Sequence, residues 1–120
     1  MCAAANVLDE QPLIVVLDPD EALREALRFS LETEGYRVRT FGAACDLMAP
    51  GRDRGAACFV IDEAVCGPDL RQWLRSRRVP VILMSARCGA AADGDGVAVV
   101  EKPLMTDALS RRIAAALATS

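Results

Sequence analysis

Histidine is missing from this 120-residue chain, and lysine occurs once, as Lys102. Without histidine there can be no histidine-based catalytic triad, no histidine-ligated zinc and no phosphohistidine donor. The five cysteines form no C-x-x-C pair and are odd in number. Reduced thiols in a cytoplasmic protein are the expectation, with Cys58 buried in a strand. Aromatic residues make up only 4% of the chain. Trp73 has no basic–aromatic pattern around it, so it reads as core and not as a stacking platform. No apolar run approaches the roughly 18 residues of a membrane span. The first residues, "MCAAANVLDEQP", lack the basic flank and apolar core of a signal peptide. Neither G-x-G-x-x-G nor G-x-x-x-x-G-K occurs, which argues against a small nucleotide-dependent enzyme. A formal net charge of −3 gives no electrostatic reason to expect a nucleic-acid or membrane surface.

What is present is ordinary for a soluble globular protein, at 52% hydrophobic and 26% charged residues. The length suits one domain with one core and leaves no room for a second, DNA-binding effector domain. Residues 1–11 read as a flexible N-terminus and 12–118 as the domain. Within it, apolar runs alternate with helical patterns five times over. "LIVVL" (13–17) is continuous and branched, as in a parallel strand covered on both faces. A helix is predicted from about Asp20 to Glu34, with Leu23, Leu27 and Leu31 on one face, Ala26 beside them and Gly35 as its left-handed stop. "YRVRTF" (36–41) alternates, with both arginines on one side, which suits an edge strand. A short helix, "AACDLM", and a solvated loop, "GRDRG" (51–55), lead to the buried run "AACFVI" (56–61). "PDLRQWLRSRR" (68–78) places Leu70, Trp73 and Leu74 at helical spacing behind Pro68. "VPVILMSA" (79–86) and "GVAVVE" (96–101) are the fourth and fifth strands. The last helix spans about 106 to 118, capped by Thr106, with Leu109, Ile113 and Leu117 inward. Residues 87–96 hold three glycines and two aspartates, so one helical turn at most is expected there.

Alternating strands and helices imply an open five-stranded parallel sheet with helices on both faces. In such sheets, sites form outside the carboxyl ends of the strands. Chemistry-bearing residues do follow the apolar runs: Asp18 after the first, Asp62 after the third, Ser85 at the end of the fourth and Lys102 after the fifth. Two carboxylates, a hydroxyl and an ammonium can together bind a hard divalent cation and a phosphoryl group. Each has a plainer reading as well. Asp62 alone is a solvated acid at a strand end, and Ser85 alone a small terminal residue. Asp20, in a first helical turn, is accounted for by the macrodipole before metal binding is considered. "DGDG" lacks the first and last acids of a calcium loop. The arginines Arg71, Arg75, Arg77 and Arg78 read first as the wet face of a helix, and second as a docking patch.

The stretches "VVLDPDEALREAL", "FVIDEAV", "ILMSA" and "VVEKPL" resemble the successive motifs of the receiver domain of two-component response regulators, in the CheY-like superfamily. "GYRVRTFGAACDLM" is similar to receivers of the FixJ type. The resemblance spans about residues 12 to 118. It implies a flavodoxin-like sheet in the order 2-1-3-4-5, here with the fourth helix short or missing. It implies that Asp62 accepts a phosphoryl group from a histidine kinase or phosphotransfer protein, with Ser85 and Lys102 serving that group. It implies Mg²⁺ held by Asp18, Asp62 and the backbone carbonyl of Ala64, with Asp20 a secondary candidate. The protein is then a phosphoacceptor and not an enzyme with its own turnover substrate. Three departures stand out. Pro19 replaces the second metal-binding acid, so Mg²⁺ should bind weakly. Val65-Cys66 replaces the usual Met-Pro, and Val99 the usual aromatic. The alternative is a degenerate receiver, acting as an interaction module independent of phosphorylation.

Overall fold

The computed structural model describes residues 11–85, 98–101 and 108–119. Five parallel strands form one sheet in the order β2-β1-β3-β4-β5: β1 (Leu13–Leu17), β2 (Arg37–Phe41), β3 (Ala56–Asp62), β4 (Val81–Ser85) and β5 (Ala98–Glu101). Between them run α1 (Glu21–Thr33), α2 (Ala44–Met48) and α3 (Pro68–Arg77), and a C-terminal helix follows (Ala108–Thr119). This is the expected sheet, with "YRVRTF" on an edge. The expectations placed on residues 1–10, on 87–96 with the short fourth helix, and on Thr106 lie outside the described residues.

Strand alternation divides the core into two layers. On one face Leu13, Val15, Leu17, Phe59, Ile61 and Leu83 pack with Leu47 of α2 and with Leu70 and Leu74 of α3. On the other, Ile14, Val16, Val60, Ile82 and Met84 meet Leu27 and Leu31 of α1 and Leu109 and Ile113 of the C-terminal helix. Strands β1 and β3 are therefore buried on both sides, which is why their sequences are unbroken apolar runs. Leu23 and Leu117 are partly buried against the second layer. Ala26 does not join them: it is exposed, because Leu27 and Leu31 set the centre of the buried stripe and Ala26 lies about 100° round from Leu27.

Local signals end the elements where the chain needs to turn. Gly35 takes φ +99° just past α1, a conformation that suits a residue without Cβ. Pro68 sits in the first turn of α3, where its missing N–H costs nothing. Trp73 is partly buried as expected, edge-on to Phe59 with centroids 5.7 Å apart, and Arg77 lies 4.3 Å over its ring.

Candidate functional site at the carboxyl ends of the strands

Among the described residues, Asp18 and Asp62 are the buried charged side chains, with 1% and 8% exposure. Leu17 of β1 pairs in register with Ile61 of β3, so Asp18 and Asp62 come next on adjacent strands. Parallel strands lie about 4.8 Å apart, which brings the two carboxyl groups into one small region. Asp62 is level with Met84 on β4, and Ser85 follows it. Ser85 is in turn the register partner of Glu101, after which Lys102 is next in sequence. The backbone thus converges three of the expected positions on one sheet edge. The side chain of Ser85, and Lys102 altogether, lie outside the described residues.

The turn after β1 is held by its own hydrogen bonds. The Asp18 N–H donates to the Phe41 carbonyl at 3.1 Å, anchoring the turn to β2. The Asp20 N–H donates to Asp18 Oδ1 at 2.8 Å, so part of the Asp18 carboxylate is engaged inside the turn. Asp20 itself is exposed and caps α1, its Oδ1 accepting from the Leu23 N–H at 3.3 Å. Pro19 stands between them, exposed, and supplies neither an N–H nor an oxygen-bearing side chain.

Arg24 was not legible as a site residue. Its Nη1 donates to the Asp18 carbonyl at 2.7 Å, from the first turns of α1. The guanidinium lies so close to Gly42 that a Cβ built there would come within 2.9 Å of Nη1. Glycine at 42 thus makes room for the arginine that braces the acid-bearing turn. Only the tertiary approach of β2 to α1 reveals this, and a helical arginine gives no local signal of it.

Beyond Asp62 the chain makes a single 3₁₀ turn, Glu63–Val65. The bonds that close it run to the carbonyls of Glu63 (3.1 Å, from Cys66 N–H) and Val65 (3.2 Å, from Gly67 N–H), on either side of Ala64. Val65 and Cys66 pack against the first core layer. Burial pushes the Cys66 thiol up from its ordinary pKa; Arg71 pulls it down, and Glu63 adds to the rise.

Among the described residues no group of three His, Cys, Asp or Glu side chains could hold a metal ion. Mg²⁺ prefers a near-octahedral shell of oxygens. The donors present fit part of such a shell: two buried carboxylates and the carbonyl of Ala64, with water needed for the rest. No helix among the described residues is long and apolar enough to cross a membrane.

Comparison with known proteins identifies the fold first. The chain superposes on the Vibrio cholerae chemotaxis protein CheY4 with a TM-score of 0.73 at 15% identity, covering 89% of this chain and 99% of that one. A solved structure of the response regulator StyR gives a TM-score of 0.77 at 25% identity, over 91% of this chain and 60% of that one. The architecture is that of CheY-like receivers. Sequence relatives agree. The chain is 30% identical to the transcriptional regulatory protein AfsQ1 of Streptomyces coelicolor over 117 residues, which is 88% of this chain and 51% of that protein. It is 31% identical to the phosphate regulon transcriptional regulatory protein PhoB of Rhizobium meliloti, over 88% of this chain and 52% of that protein. No family model matches. The chain spans about half the length of these curated relatives. By fold and by relatives, it is a receiver domain of the response-regulator kind.

Proposed function

We propose that Asp62 accepts a phosphoryl group from a histidine kinase or phosphotransfer protein, and that the domain signals by the change this produces. The observation that supports it is the pair of buried acids, Asp18 and Asp62, side by side in register at the carboxyl ends of β1 and β3. Burying two like charges together is costly without a cation or hydrogen-bond donors to offset them. A phosphoryl-transfer site has a use for such a pair, one acid as acceptor and both as ligands to a hard cation.

In the transfer, an Asp62 carboxylate oxygen attacks the donor phosphorus and forms an acyl phosphate. The P–N bond to the donor imidazole breaks, and the leaving nitrogen regains a proton. Ser85 ends β4 one residue beyond the level of Asp62, and in this reading its hydroxyl and the ammonium of Lys102, the residue after β5, serve the phosphoryl group. Mg²⁺, when bound by Asp18, Asp62 and the Ala64 carbonyl, would offset the charge that builds on the phosphoryl oxygens. Pro19 leaves that shell one carboxylate short, so metal binding is weak and labelling slow. This shortage also favours the second reading, a degenerate receiver that binds partners without phosphorylation.

Incubation with acetyl phosphate and Mg²⁺, followed by intact-mass measurement, separates the two. A single base-labile phosphoryl adduct, lost in Asp62→Asn, supports the acceptor. No adduct at saturating donor supports the interaction module.

A further inference from the structure

The other end of the sheet, where the strands begin, gathers arginine. Arg39 lies midway along β2 and is tied to that end through Arg52, while Arg52 and Arg54 lie in the turn before β3 and Arg75, Arg77 and Arg78 at the end of α3. These are six of thirteen arginines, in a chain whose net charge is −3. They belong to one surface, because direct contacts join the three segments. Arg39 Nη1 donates to the Arg52 carbonyl at 2.6 Å, linking β2 to the turn. Arg77 Nε lies 3.2 Å from Asp53 Oδ2, linking the turn to α3. Arg52, Arg54, Arg75 and Arg78 are all exposed.

Helix electrostatics explains part of this cluster. Arg75 and Arg77 sit in the last turn of α3, where the negative end of the dipole favours cations. It does not explain Arg39, Arg52 or Arg54. Nor does it explain Arg78, which stops α3 at φ +56°, the left-handed conformation that disfavours every residue with a Cβ. Glycine would end the helix there with less strain, and this chain uses glycine at the equivalent stop after α1, Gly35. The strain at Arg78 is not needed to end the helix, and its side chain adds charge to the exposed rim of a basic surface.

We propose that the surface formed by Arg39, Arg52, Arg54, Arg75 and Arg78 docks an acidic segment of a partner protein. Guanidinium forks match carboxylates in shape and charge. Nucleic acid is disfavoured because the ring beside these arginines is not open to stack on a base. Trp73, the aromatic ring at this end, is covered by Arg77 and offers no open face for base stacking. The surface lies away from Asp18 and Asp62, so the proposal stands independently of phosphorylation.

The test is fluorescence anisotropy of a labelled oligoglutamate peptide with the unphosphorylated chain, at low and rising salt. Binding should weaken as salt rises. Arg54→Gln and Arg78→Gly should each weaken it about two- to fivefold, the range for single exposed charge pairs. Arg112→Gln, on the exposed side of the C-terminal helix, should leave binding unchanged. Arg78→Gly should also melt no lower than the parent, so its lost binding is not lost folding. The proposal is overturned if the peptide does not bind, if Arg112→Gln weakens binding as much as Arg78→Gly, or if an oligothymidylate of equal charge binds more tightly.

Discussion

At the level of single residues, two positions carry direct predictions. In the proposed function, Pro19 stands where a second carboxylate would serve the metal, and the neighbouring Asp20 is engaged instead in capping α1. We expect Pro19→Asp to tighten Mg²⁺ binding about tenfold, on the order of 1.4 kcal/mol, as measured by titration calorimetry. Unchanged affinity would mean that the proline is no handicap. Cys58 is fully buried in β3, and burial pushes its thiol from 9.0 up to about 12. Below pH 9 the thiol is protonated both folded and unfolded, and it adds no pH dependence. Above that, the unfolded chain loses the proton first, so stability falls as pH rises toward about 12. Urea unfolding across this range should show a steeper decline for the parent than for Cys58→Ala. Equal slopes would show that the buried thiol is not the group responsible.

Among the elements, the strands were the most legible in sequence. β1 and β3 are apolar throughout because both faces are covered, and β2 alternates because it is an edge. Helix α1 announced itself through Leu27, Leu31 and Gly35, although Ala26 proved exposed. The bracing of the β1–α1 turn was not legible, since the Arg24–Asp18 bond depends on how closely α1 approaches Gly42 of the neighbouring connection. This yields a prediction in the form of a mutant cycle. Gly42→Ala should displace the guanidinium and cost about 1 kcal/mol, close to the worth of one hydrogen bond. In an Arg24→Ala background the same substitution should cost little, because nothing remains to displace. Additive losses in thermal or urea unfolding would show that the two residues do not act together.

Across the whole molecule, the sequence order of Asp18, Asp62, Ser85 and Lys102 indicated a site because a parallel sheet brings strand ends together. The register of β1, β3, β4 and β5 realises that convergence for the first three positions. What sequence could not supply was the depth of the acids, since Asp18 and Asp62 are 1% and 8% exposed at strand ends that sequence alone reads as solvated. The arginine-rich opposite end was visible only in part, as the run after Trp73, because Arg39 and the 51–55 turn join it through tertiary contacts. The central claim is that Asp62 is the acceptor. Treating the acetyl phosphate-labelled chain with borohydride reduces an aspartyl phosphate to homoserine, which peptide mass spectrometry can locate. The account predicts homoserine at position 62 and at no other acid. Homoserine at Asp18 or Asp20, the longer 5-hydroxynorvaline at Glu63, or a labelled chain with Asp62 unmodified, would contradict it.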